Sequence, residues 1–172
     1  TFALSTFNQT IATGATWTLG GSGPTLESNV AAITMGTGVL TLNGTIANNT
    51  GSLATQTIAG SISFGGTSGT FNIDSGHATS DMTVSAGLSN GSLIKMGAGI
   101  LTLTGTKSLT NLAVNDGTVV GGYGTGGVQT VNISSTGSLQ MVNNLAETLT
   151  LSATPSALNV AGGARIGLEL GA

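Results

Sequence analysis

Thirteen residues of this chain recur 61 positions later: Ile33-Thr-Met-Gly-Thr-Gly-Val-Leu-Thr-Leu-Asn-Gly-Thr45 aligns with Ile94-Lys-Met-Gly-Ala-Gly-Ile-Leu-Thr-Leu-Thr-Gly-Thr106, with nine identities. A fixed-offset repeat inside a short chain restricts the fold more than any single residue does. It points to one structural unit used again, with neighbouring units burying a shared core.

The unit itself is a short strand. Trp17/Leu19, Ile62/Phe64 and Leu101/Leu103 alternate with Thr or Ser, and similar apolar pairs two residues apart are Leu40/Leu42, Phe71/Ile73, Met82/Val84, Leu112/Val114, Val131/Ile133, Leu139/Met141, Leu149/Leu151, Leu158/Val160 and Ile166/Leu168/Leu170. A period of two sends one set of side chains inward and the hydroxyl set outward. Turn clusters separate the strands: Gly20–Pro24, Gly65–Gly69, Asn90-Gly91, Asn115–Gly117, Gly121-Gly122 and Gly162-Gly163. Gly and Asn tolerate the positive φ that sharp turns need. Short strands with frequent turns suit a sandwich, a barrel or a β-solenoid. The repeat, the Thr-rich outward faces and an aromatic content of only 3% favour the solenoid, whose narrow interior fills with Leu, Ile, Val and Ala. The expectation is an all-β parallel β-helix with almost no helix. It forms one domain over residues 1–172, with repeat copies near 33–45 and 94–106. Coils of roughly 20–25 residues give about seven or eight coils, a rod of roughly 35–40 Å, and a repeat offset of three coils of about 20 residues.

Charge sets the next limits. Nine residues are charged, 5% of the chain, against about 25% in an ordinary soluble domain. With three basic residues and a net charge of −3 there is no patch to neutralise phosphates, which excludes nucleic acid as an expected partner. A polybasic membrane anchor is excluded on the same ground. No run of about 18 apolar residues occurs, so membrane insertion by a helix is not expected. The polar surface comes from 29 Thr, 18 Ser and 13 Asn. Such an uncharged hydroxyl surface suits secreted bacterial proteins. The absence of cysteine is compatible with a secreted solenoid held by backbone hydrogen bonds. The chain starts at Thr1 and reads as a processed subunit or a fragment of a longer precursor.

Gly91-Ser-Leu-Ile-Lys-Met-Gly-Ala-Gly-Ile-Leu-Thr-Leu-Thr-Gly-Thr106 resembles the passenger-associated strand repeat of bacterial autotransporters, roughly G-x-L-x-K-x-G-x-G-x-L-x-L-x-G. The resemblance extends to Leu112–Val119, Phe71–His77 and Met82–Leu88, and covers roughly residues 62–120. The copy at 33–45 lacks the Lys. The resemblance implies a right-handed parallel β-helix on the surface of a bacterium, of the Gram-negative kind, and does not imply an enzyme activity. The membrane barrel of a full autotransporter has no counterpart in these 172 residues.

Candidate sites are few. His77 lies between Asp74 and Asp81, a grouping that suggests a metal or acid–base site. One His and two carboxylates fall short of a zinc set, and a polar turn between strands explains them. The six acidic residues are too scattered for a glycosidase pair. Gly121–Gly127 lacks the Lys-Ser/Thr ending of a phosphate loop and reads as a connection exposing Tyr123. Asn8, Asn43, Asn48, Asn90 and Asn132 head Asn-x-Ser/Thr triplets, at a frequency this composition produces by chance. Thr-x-Thr triplets at 16/18, 55/57, 102/104 and 148/150 are too irregular for an ice-binding array. No catalytic, cofactor or metal residue is assigned, and no cofactor is expected.

The functional expectation is therefore a non-enzymatic structural protein of the bacterial exterior. A solenoid exposes unpaired backbone groups at its ends. Phe2–Phe7 and Ile166–Leu170 are both strand-like and could join head to tail, making copies of itself the expected partner and a fibre or sheath the product. The alternative is a passenger stalk or adhesin fragment presenting a receptor- or glycan-binding region, for which Trp17 and Tyr123 are the aromatic groups available.

Overall fold

Alternating strands stack in parallel, one coil upon the next. The computed structural model describes residues 2–4, 9–11, 16–19, 32–48, 55–76, 78–121, 127–141 and 157–168. The strands are β1 (Phe2–Leu4), β2 (Gln9–Ile11), β3 (Thr16–Leu19), β4 (Ala32–Leu42), β5 (Thr45–Asn48), β6 (Gln56–Ser63), β7 (Ser68–Asn72), β8 (Met82–Val84), β9 (Gly87–Ser89), β10 (Ser92–Met96), β11 (Ile100–Leu103), β12 (Lys107–Val114), β13 (Gly117–Val120), β14 (Val128–Ile133), β15 (Gly137–Met141), β16 (Ala157–Val160) and β17 (Arg165–Leu168). No helix occurs among the described residues.

Two parallel sheets run the length of the stack. In one, β3, β5, β7, β10, β12, β14 and β16 follow each other in order. In the other, β1 and β2 pair with β4, followed by β6, then β8 and β9, then β11, β13, β15 and β17. The start of β12 joins this second sheet through Lys107↔Leu88 before the strand turns into the first. The chain is thus an all-β solenoid. The continuous apolar interior runs over the coils from β4 to β15.

Side chains form columns because stacking is in register. Ile46, Phe71, Lys95, Val114, Ile133 and Val160 succeed one another down the first sheet. Met82, Leu101, Val119, Leu139 and Ile166 do so down the second. Each fully buried aliphatic contributes about 1.5–3 kcal/mol, and the same register pairs the interior N–H and C=O groups between coils. Every alternating apolar pair read from the sequence between Leu40 and Met141 is buried. Trp17/Leu19, Leu149/Leu151 and Leu170 lie outside the residues whose side chains are described.

The repeat does not mark equivalent places in the coil. Ile33, Ile58, Val84 and Leu103 share a column with steps of 25, 26 and 19 residues, so three coils here exceed the 61-residue offset. The division into three coils of about 20 residues is corrected accordingly. The two copies agree after their Gly-x-Gly, where Leu40/Leu42 and Leu101/Leu103 are all buried. They disagree before it: Thr34 is exposed where Lys95 is buried, and Met35 is buried where Met96 is exposed. The first copy keeps Gly36-Thr37-Gly38 inside one strand, with a register shift between Thr34 and Val39. The second bends at Gly97-Ala98-Gly99 from one sheet to the other. A bulge inside a strand reverses which side chains face inward.

Candidate functional site

The corner between β10 and β11, with the corners stacked on it, concentrates the charged and polar chemistry of the described residues. Lys95 occupies an inward position between Phe71 and Val114, where every neighbouring coil places an apolar residue. It is fully buried. The side chain runs along the interior and delivers its ammonium to the corner, where Nζ donates to the carbonyls of Met96 at 2.8 Å, Gly97 at 2.5 Å and Asp116 at 3.2 Å. An ammonium has three donors, and three carbonyls receive them. Burial pushes its pKa down to about 8, and the negative charges of Asp116, Asp81 and Asp74 offset part of that effect. Lys107 is likewise buried, with Nζ donating to the Gly105 carbonyl at 2.7 Å.

Both acidic residues near His77 are tied into the stack, one by its carboxylate and one by its backbone. Asp81 is buried, and its two oxygens accept separate main-chain bonds, from Gly76 N–H at 2.7 Å and from Ile100 N–H at 2.7 Å. The second bond ties the coil of β8 to that of β11. Asp74 is held through its backbone: its N–H donates to Asn48 Oδ1 at 2.7 Å, and its carbonyl accepts from Asn48 Nδ2 at 2.8 Å. His77 itself lies outside the described residues. Among the described residues no group of three or more His, Cys, Asp or Glu is placed to hold a metal ion.

The other sequence candidates disperse. Asn48 is buried in the bond to Asp74. Asn132 belongs to an amide ladder: its Nδ2 donates to Asn111 Oδ1 at 2.7 Å, and Asn159 Nδ2 donates to Asn132 Oδ1 at 2.7 Å. Asn43 accepts from Thr67 Oγ1 at 3.1 Å, and Asn90 takes the left-handed φ of 58° at a corner. Asn8 and Tyr123 lie outside the described residues, as does the side chain of Trp17. Thr102 shares a 2.8 Å hydroxyl contact with Ser80, whereas Thr104 sits past the end of β11, so this Thr-x-Thr triplet spans a strand and a corner.

Two grooves flank the same run of corners farther along the stack. One, of about 390 Å³, lies beside β13, β15 and β17 and includes Thr118, Ser135, Thr136, Ser138, Gln140 and Arg165 in its walls. The other, of about 490 Å³, lies beside β14 and β16, with Asn132, Asn159, Leu158 and Val160. Sequence reading missed the first groove because its members come from three coils. It missed the role of Lys95 because a lysine in an alternating strand is ordinarily read as outward.

No protein-family model, curated protein or solved structure matches this chain.

Proposed function

We propose that the chain is a non-enzymatic structural protein of the bacterial exterior whose copies join end to end by strand addition. The carrying observation is the last described coil. Leu158, Val160, Ile166 and Leu168 are exposed at 41%, 47%, 39% and 63%. They continue the columns in which Val131, Ile133, Leu139 and Met141 are buried. A further parallel coil laid on β16 and β17 would cover them and pair their open backbone edges. The first strands of the stack, β1 to β3, carry edges of the same parallel polarity, so a second copy supplies that coil. A heterologous contact of this kind grows into a filament if it does not close. The charge-poor, hydroxyl-rich exterior supports a location outside the cell.

Size-exclusion chromatography with light scattering and negative-stain imaging test the proposal. Concentration-dependent rods are expected, and the double variant Leu158→Glu/Leu168→Glu is expected to stop growth while leaving a folded monomer. A monodisperse wild-type monomer at high concentration overturns it.

A second reading, a passenger stalk whose following coils come from the same precursor, is favoured by the Lys95 corner, which lies in the segment resembling the passenger repeat. A membrane barrel downstream in the precursor would support the stalk over the free subunit.

A further inference from the structure

The chain has three basic residues, and two of them, Lys95 and Lys107, are buried. The third, Arg165, is exposed at the start of β17. Its backbone belongs to the ladder with β15, and among the described residues no hydrogen bond or ion pair engages its guanidinium. It stands in the outward column Thr118–Ser138–Arg165, one residue from each of three successive coils. Gln140 lies two residues beyond Ser138 and so on the same face of the sheet. Ser135 and Thr136 are exposed at the adjoining corner. Together they wall the groove of about 390 Å³, which also includes Gly163, a residue with no side chain to close it.

We infer that this groove binds an acidic saccharide, with the Arg165 guanidinium on a sugar carboxylate and the Thr118, Ser138 and Gln140 side chains on ring hydroxyls. A guanidinium matches a carboxylate with two parallel N–H donors. Hydroxyls and a primary amide both donate and accept, which suits the mixed demands of a polyol. Among the described residues no large apolar side chain lines the groove, which gives it a polar rather than a hydrophobic wall. One cation does not suit a polyphosphate, which calls for several. The outward columns repeat at about 4.8 Å along the stack, giving an extended glycan a row of hydroxyls to follow. The groove opens on the flank, so the inference stands whether or not copies join at their ends.

The test is a two-dimensional amide NMR titration of the chain with trigalacturonate, with neutral galactotriose and acetate as comparison probes. Trigalacturonate at millimolar concentration is expected to shift the amides of Thr118, Ser138, Gln140 and Gly163. Arg165→Gln is expected to weaken binding about tenfold or more, the usual weight of a charged hydrogen bond, with the core resonances unchanged. Arg165→Lys should recover part of the loss. The inference is overturned if trigalacturonate causes no shifts, if Arg165→Gln binds as well as wild type, if galactotriose binds equally, or if acetate alone reproduces the response.

Discussion

Lys95 reaches out of its own coil to hold the main-chain carbonyl of Asp116 at 3.2 Å, while the same ammonium holds Met96 and Gly97 of the corner it precedes. One cation therefore fastens two successive corners from inside the stack. Removing the ammonium takes a donor from the Gly97 and Asp116 carbonyls and leaves Met96 only the Ile73 N–H, and removing the chain also opens a cavity between Phe71 and Val114. Lys95→Ala is expected to cost about 2–4 kcal/mol of unfolding free energy. Lys95→Met keeps the volume and sheds a buried charge, so its loss is expected to be smaller, about 1 kcal/mol. Chemical denaturation of the two variants gives the comparison, and equal losses would mean that packing around the stem is irrelevant.

The same lysine makes stability depend on pH in an unusual direction. Its folded pKa is about 8 against 10.5 for the unfolded chain. Below pH 8 both states carry the proton and the cost of burying the charge is fully present. Between pH 8 and 10.5 the unfolded state holds more protons, so stability contributed by this group rises with pH. The melting temperature of wild type relative to Lys95→Met is expected to increase from pH 7 to pH 10. A flat difference would show that burial does not lower the amino group's pKa, and a falling one that the fold raises it.

Asp81 tests whether the acidic pair near His77 is architecture. Both oxygens accept main-chain N–H bonds at 2.7 Å, one of them across coils to Ile100. Asp81→Asn replaces one acceptor with a donor facing an N–H group. The expected cost is about 2–3 kcal/mol in thermal or denaturant unfolding, with the amide of Ile100 losing hydrogen-exchange protection. An unchanged Ile100 exchange rate would remove the cross-coil role.

The alternating pairs were legible because period-two patterning maps directly onto a buried face. Leu101/Leu103, Leu112/Val114 and Val131/Ile133 needed nothing beyond it. Coil length was not legible, because it depends on where the chain bends, and Gly36-Thr37-Gly38 and Gly97-Ala98-Gly99 share a pattern yet give a bulge in one case and a corner in the other. The groove around Arg165 was invisible for a related reason. Thr118, Ser138 and Arg165 are neighbours only through register, and unequal coils hide register from a one-dimensional reading.

Gly97 separates backbone strain from steric conflict. It has φ of 75°, and a Cβ there would lie 2.5 Å from the Ile73 carbonyl oxygen of the preceding coil. Gly66 has a similar φ of 77° with nothing within 4 Å. Gly66→Ala is expected to cost about 1–2 kcal/mol from the left-handed conformation alone. Gly97→Ala carries the same strain plus a displaced backbone, and is expected to cost about 3 kcal/mol or more. Matched denaturation curves decide it, and equal costs would mean the corner yields freely.

Stability should also fall along the rod. Phe71 is fully buried in the middle of the stack, whereas Leu158 is 41% exposed on the last described coil. Phe71→Ala removes a ring from the close-packed interior and is expected to cost about 3–5 kcal/mol. Leu158→Ala is expected to cost less than about 1 kcal/mol in the isolated chain, since little transfer energy and no enclosed cavity are involved. Coils contact only their neighbours, so the difference should also appear locally, with amides of β16 and β17 exchanging faster than those of β7 and β10. If a second copy covers the last coil, raising protein concentration should slow exchange in β16 and β17 selectively and make Leu158→Ala more costly. Concentration-independent exchange at that end, with Leu158→Ala still nearly neutral, would disconnect the exposed side chains from any contact between copies.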